Sequence, residues 1–173
     1  AEQKTTLRIP PEDKVILFVQ WEDLKRRISR ALDEFGVPHM KLQGSTHQKR
    51  EILRKFKSSA PGAEGGNANA SCTGDETARV LILSMEDAAS GANLTVANHV
   101  FLIHPFHSDS DEVCENYEKQ AVGRVLRYGQ KKPVKVWRFV TRNTVEEEIL
   151  KERGVIEQGG GVENAGSAER CPQ

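Results

Sequence analysis

The segment Gln120 to Gln130 (QAVGRVLRYGQ) carries the residues of this chain best suited to chemistry. A helix from about Asp111 to Arg127 would set Val113, Tyr117, Ala121 and Val125 on an inward stripe at four-residue steps. Gln120, Arg124 and Arg127 then share another face. Guanidinium groups stay charged at any working pH and present planar donors. Two of them beside an amide can meet a triphosphate and stabilise charge on a phosphoryl group in transfer. The same spacing also describes an ordinary solvated stripe, and the local pattern does not choose between the two.

Such a helix acts only if a sheet holds it, and the apolar pattern supplies one. Lys14 to Val19 (KVILFV) is a β-branched apolar run after a Pro-Pro turn, which reads as a buried parallel strand. From Glu22, the residues Leu24, Ile28, Ala31, Leu32 and Phe35 recur at helical spacing, acids open the first turn, and Gly36 stands where a C-terminal cap belongs. Val37 to Leu42 is the next strand, and Thr46 can cap a second helix with Ile52, Leu53 and Phe56 on its inner side. Arg79 to Leu83 and His99 to Ile103 are further buried strands, joined by the turn-rich crossover SMEDAASGANLTVAN. Val134 to Val140 is one more strand, and Thr144 caps a last helix with Glu147 three residues on, as in a capping box. This alternation predicts an α/β domain with a mainly parallel central sheet and helices on both faces. It spans residues 14–153, after an N-terminal extension of residues 1–13. Residues 58–78, rich in Gly, Ala, Ser and Asn, read as a flexible insertion, and residues 154–173, with three consecutive glycines, as a disordered tail.

A length of 173 residues suits one domain with a real apolar core. The formal net charge is +0 and the pI about 7.2, so any nucleic-acid surface must be local. Basic residues gather at Lys25, Arg26, Arg27 and Arg30 and again at Lys49, Arg50, Arg54, Lys55 and Lys57, while Asp109, Asp111, Glu112, Glu115 and Glu118 form an acidic stretch. Each cluster can equally be a solvated helix face. Cys72, Cys114 and Cys171 stand far apart, without a CxxC pair or zinc spacing, and read as free thiols in a reducing compartment. No apolar run approaches the roughly 20 residues of a membrane span, and the N-terminus lacks the apolar stretch of a signal peptide, so a soluble intracellular protein is expected.

The pattern Q-A-x-x-R-x-x-R-x-G-Q resembles the last helicase motif of the SWI/SNF-type translocases of superfamily 2. Other segments agree in order and spacing. KVILFVQW at Lys14 to Trp21 is similar to the family's strand followed by Gln-Trp, and KLQGST at Lys41 to Thr46 to its L-D-G-S-T, with Gln43 in place of Asp. LILSMEDAASGANL at Leu81 to Leu94 is similar to L-x-S-x-x-A-G-G-x-G-L-N-L, and RFVTRNTVEE at Arg138 to Glu147 to the stretch that follows the last motif. Together these cover about Lys14 to Lys151.

The resemblance implies the second RecA-like lobe of a DNA-dependent ATPase, of chromatin-remodelling or DNA-repair type and nuclear. Arg124 and Arg127 would be arginine fingers reaching ATP on the other lobe, and Gln120 and the Gly91 backbone would line the same cleft. Gly44, Ser45 and Thr46, at a turn opening a helix, would hold a duplex DNA phosphate, as would Ser84 from its strand end. By local chemistry alone, Ser45 and Thr46 serve as well as plain helix caps, and Trp21 as a packing residue.

Departures from the family pattern are as specific as the matches. Its Gly-Gly pair is Ala88-Ala89 here, Ala92 replaces Leu, and Glu86 stands where a basic or neutral residue is usual. After Ile103, the family's aspartate, aromatic and Asn-Pro give way to the longer, more acidic HPFHSDSDEVCENYE. The chain reads as a divergent branch. It has no G-x-x-x-x-G-K-[ST] phosphate loop and no Gly-Lys dipeptide, and its Asp75-Glu76 lies in the insertion rather than at a strand end. ATP and Mg²⁺ would then be bound mainly by a first lobe elsewhere in a longer protein, and the isolated lobe should not hydrolyse ATP. The alternative is a catalytically inert DNA- or protein-docking module derived from such a lobe. A generic α/β enzyme binding nucleotide by itself fails for want of the glycine-rich loop.

Overall fold

The computed structural model describes residues 8–59, 78–84, 87, 91–155 and 167–169. Its sheet has the order β2-β3-β1-β4-β5-β6. β1 (Val15–Val19), β2 (His39–Lys41), β3 (Val80–Ser84), β4 (His99–Leu102) and β5 (Val134–Arg138) are parallel to their neighbours. β6 (Ser167–Glu169) pairs antiparallel with β5. Parallel neighbours require crossovers, so the helices return the chain against the strand direction. Helices α1 (Glu22–Glu34), α2 (Thr46–Ser58) and α3 (Asp111–Val125) do this, and α4 (Val145–Glu152) follows β5.

Every residue of β1 and β3 is buried, the mark of strands covered on both faces. Alternate residues divide the core. Val15, Leu17, Val19, Val80 and Ile82 meet Leu24, Ile28 and Leu32 of α1. Ile16, Phe18, Leu81 and Leu83 meet Phe56 of α2 and Cys114, Ala121, Val122 and Val125 of α3. Helices thus lie on both faces. Lys14 is buried at the foot of β1, where its Nζ donates to the Phe56 carbonyl and lies 4.9 Å from the Phe56 ring centre. A cation at the exposed carbonyls of a helix C-terminus is favourable, although burial lowers the lysine's pKa.

Several elements differ from their sequence reading. The strand expected over Val37 to Leu42 forms only at His39–Lys41. α1 turns Lys25 and Ser29 inward beside Leu24, Ile28 and Leu32, whereas Phe35 falls on the C-cap and is 82% exposed. Gly36 takes the positive φ of 64° that its capping role requires. In α3, Val113 and Tyr117 are exposed, and the inner line runs Cys114, Ala121, Val122 and Val125. Four-residue steps advance about 40° beyond a full turn each time, so a stripe built only from them drifts off the core.

The helix also ends at Val125, with Leu126 as its C-cap, so Arg127 lies on the following turn and not on a shared helical face. Ser45, rather than Thr46, is the N-cap of α2. The tail expected to be disordered contributes β6, which covers the edge that β5 would otherwise present. Ser58, the first residue of the expected insertion, is the last of α2, and residues 60–77 lie outside the described residues, as do Glu86, Ala88 and Ala89. The two ends of the insertion are tied by Ser59, whose Oγ reaches the carbonyls of Phe56 at 2.8 Å and Ala78 at 2.9 Å.

Candidate phosphate-binding sites

The expected site residues fall into two groups at opposite ends of the sheet. Gly44, Ser45, Thr46 and Ser84 follow strand C-termini, whereas α3 runs back and delivers Arg124 to the edge where strands begin.

At the first end, Gly44 has φ 93°, and a Cβ there would lie 2.3 Å from Gln48 Oε1. The glycine admits a left-handed turn and leaves room for Gln48 to complete a capping box. Gln48 Oε1 accepts from Ser45 N at 2.7 Å, and Ser45 Oγ accepts from Gln48 N at 3.4 Å. Ser45 therefore serves as a cap. The N–H groups of Thr46 and His47 precede the first intrahelical bond, which is Lys49 N to Ser45 O at 2.9 Å, and helix geometry leaves such groups pointing outward.

Ser84 is buried and also engaged. Its Oγ donates to Asp87 Oδ2 at 2.7 Å and accepts from Asp87 N at 3.3 Å. Asp87, 4% exposed, gathers further partners from two helices. Lys49 Nζ of α2 lies 2.6 Å from its Oδ1, and Lys25 Nζ of α1 lies 3.6 Å from its Oδ2. Lys25 in turn donates to the Leu42 carbonyl and bonds Glu22 Oε1 at 3.1 Å. Burial alone would raise the Asp87 pKa, but the hydrogen bonds from Lys49 and Ser84 and the charge of Lys25 hold it below the ordinary carboxylate value. Sequence reasoning misses this cluster because Lys25 and Lys49 stand in basic runs that look like solvated faces.

At the opposite end, Leu94 N donates to the Arg124 carbonyl at 2.9 Å, which ties the segment that carries Gly91 to the end of α3. Gly91 has φ 79°, and a Cβ added to it would meet no atom within 4 Å, so its requirement is conformational. Arg124 is half-buried, and Gln120, one helical turn earlier, is exposed, as is Arg127. Gln130, the last residue of the motif and one to which sequence reasoning assigns no role, is the staple of this end. Its Nε2 lies 2.7 Å from Ala97 O, 3.1 Å from Thr95 O and 3.3 Å from Val125 O, and its Oε1 accepts from Lys132 N at 2.9 Å.

The acidic stretch after β4 is pinned at its start. His104 Nε2 accepts from Gln20 N at 3.0 Å, and the Gln20 side chain pairs with the His107 backbone through bonds of 2.6 and 2.9 Å. Trp21 stacks on His104 with ring centres 4.5 Å apart and stays 50% exposed. Among the described residues no group of three His, Cys, Asp or Glu side chains could hold a metal ion, and no helix is long and apolar enough to cross a membrane.

Five parallel strands with helices on both faces, and basic groups at the end of α3, define a RecA-like lobe. The chain matches the helicase conserved C-terminal domain over residues 3–129 and belongs to that family. It is a C-terminal RecA-like lobe of the SWI/SNF type within superfamily 2. A DNA (cytosine-5-)-methyltransferase, DMT5, of Cryptococcus neoformans var. grubii is 38% identical over 84% of this chain, which spans 6% of that protein. The DNA repair protein rad8 of Schizosaccharomyces pombe is 33% identical over 80% of the chain, which spans 10% of it. The C-terminal part of the Fun30 ATPase domain shares the fold, with a TM-score of 0.63 at 20% identity over 81% of this chain and 38% of that one. The chain therefore spans a small part of the curated relatives it matches.

Proposed function

We propose that this chain is the second motor lobe of a DNA-dependent ATPase that translocates on duplex DNA in the nucleus. The observation that carries the reading is the Leu94–Arg124 bond, which holds the segment bearing Gly91 beside a charge-bearing helix end with Gln120 one turn away. Guanidinium donors suit the γ-phosphate of ATP, and Arg124 and Arg127 would supply positive charge to it from across a cleft. A first lobe would hold most of the nucleotide and its Mg²⁺, so the isolated chain would not hydrolyse ATP. At the other end, the N–H groups of Thr46 and His47 suit a backbone phosphate, a contact that carries no sequence preference. The relatives' names share action on DNA, cytosine methylation in one and repair in another, which supports DNA as the track.

The test is ATP hydrolysis by a full-length protein containing this lobe, with and without duplex DNA, for the wild type and a folded Arg124→Ala variant. An arginine finger contributes roughly 10³- to 10⁵-fold in rate, so the variant should lose nearly all DNA-stimulated turnover. A second reading, an inert docking module, draws on the internal engagement of the Ser45 and Ser84 side chains. A wild-type protein that neither hydrolyses ATP nor responds to DNA would establish that reading instead.

A further inference from the structure

Strands of a parallel sheet are normally buried on both faces, as β1 and β3 are. β5 departs from this. Val134 and Val136 are buried on the side of α3, whereas Lys135 is exposed and Trp137 half-buried, so the opposite face of the strand is open. On that side His99 stands opposite Lys135 and Phe101 opposite Trp137. Phe139, just past β5, is 42% exposed, with its ring centre 5.1 Å from that of Phe101, which lies 6.4 Å from that of Trp137. The indole N–H of Trp137 is engaged by His99 Nδ1 at 3.0 Å, so the rest of the ring offers apolar surface. Among the described residues α1 is the helix on this side, and it lies over β1, β2 and β3. α4 is on the other side, where Arg153 at its C-cap bonds Asp111 of α3 and the Phe106 carbonyl. Phe101, Trp137 and Phe139 thus form an aromatic patch that no described helix covers. Its border at the strand starts is basic, since Lys135 and Arg79 both bring positive charge to bear on His99.

A sheet face offers side chains and no free backbone groups, so the element that fits it is a helix, whose own backbone is satisfied internally. Two strands roughly 5 Å apart and three residue pairs roughly 7 Å apart give a face on the order of 200 Å². A stable complex between separate proteins takes roughly 800 Å² from each partner, which this patch does not approach. Within one polypeptide a small face suffices, because the linking chain supplies a high effective concentration. The chain spans 6% and 10% of two curated relatives and 38% of the Fun30 structure, so lobes of this kind are carried in polypeptides with much more chain. We propose that the aromatic face of β4 and β5 seats an amphipathic helix from the same polypeptide outside residues 1–173, with aliphatic residues over Phe101, Trp137 and Phe139 and a carboxylate at the end above Lys135. About three helical turns cover the patch, with apolar contacts at i, i+3 or i+4, and i+7. The assignment is independent of the motor reading, since a motor and an inert module alike would need this face covered.

The experiment places the photo-crosslinking residue p-benzoylphenylalanine at Phe139 of a full-length protein containing this lobe, where an enlarged aromatic ring has room to extend. After irradiation, mass spectrometry of the digest identifies the attached peptide. The expected product is an intramolecular cross-link to one stretch outside residues 1–173, with apolar residues at helical spacing and an Asp or Glu at one end. The same probe at Phe35, the 82% exposed C-cap of α1, is the control and should give that product in several-fold lower yield. Cross-links that join two copies of the protein, that reach a separate protein or that stay within residues 1–173 would overturn the proposal. So would the absence of any cross-link, or equal yields from the two positions. Should the Phe139 variant not fold, Lys135 carries the probe instead, because it is exposed on the same face and decides between the same outcomes.

Discussion

Replacing Gln130 by alanine tests how the Arg124 end is held together. The side chain is half-buried and joins three stretches of backbone: residues 95–97 before β4, the last turn of α3 at Val125, and Lys132 before β5. Two amide protons and one carbonyl oxygen are engaged, equivalent to about three hydrogen bonds at a net 0.5–1.5 kcal/mol each. Water can reach a half-buried site and replace part of that loss, so about 2 kcal/mol is expected. For a chain of this length, that corresponds to a fall in Tm of roughly 4–8 °C. Thermal unfolding followed by circular dichroism gives the number. Gln130→Glu keeps the shape and the acceptor but loses the donors, and should forfeit most of the same stability. A Gln130→Ala protein that melts within about 1 °C of wild type would refute the assignment of Gln130 as a staple, because even one lost bond exceeds that shift.

Two other outcomes follow from groups at defined positions. Burial lowers the pKa of His99 below its ordinary 6.5, opposed by its bond to Asp13, and Nδ1 accepts from Trp137 Nε1 at 3.0 Å, so the native state favours the neutral ring. Its contribution is therefore present above pH 6.5 and is lost as the pH falls through the lowered folded value. Denaturant midpoints should drop between about pH 7 and pH 5, before most carboxylates titrate, and His99→Asn should flatten that slope. Gly44→Ala must adopt a φ of 93° and displace Gln48 from the capping box, a cost of about 1–3 kcal/mol. Gly36→Ala, with φ 64° and open space around the added methyl, should cost less in the same thermal melts.

The parallel sheet was legible because buried strands such as VILFV and VLILS are continuous apolar runs bounded by turns. Caps were legible where one residue type dominates, as with Gly36 and with Thr144, whose Oγ1 accepts from Glu146 N at 3.3 Å. Glu147 bonds the Asn143 backbone instead of closing the expected box on Thr144, a shift of one residue that spacing does not resolve. The polar interior was not legible. Lys25, Ser29 and Asp87 are buried because each has a specific partner, and partners distant in sequence leave no periodic trace: Ser29 Oγ lies 2.7 Å from His39 Nε2, and Lys25 meets Leu42 and Asp87. Arg124 stands out in the sequence only through its motif. That Arg127 leaves the helix depends on the backbone of Leu126, at φ −82° and ψ 80°, which the residue types do not announce.

The end of α3 at Val125 gives the two arginines different stiffness. Arg124 belongs to the last turn of a 15-residue helix, and its carbonyl is bonded by Leu94. Arg127 rides a turn closed by bonds of 3.1 Å to Val125 O and 3.0 Å from Gln130 N, beside the 96% exposed Tyr128 and the left-handed Gly129. Against any surface brought up to this end, Arg124 is a fixed jaw whose place is set by the sheet, and Arg127 is a compliant one. Misalignment is absorbed by the turn rather than by the core. Stiffening residues 126–129 would narrow that tolerance while leaving the helix and the fold untouched.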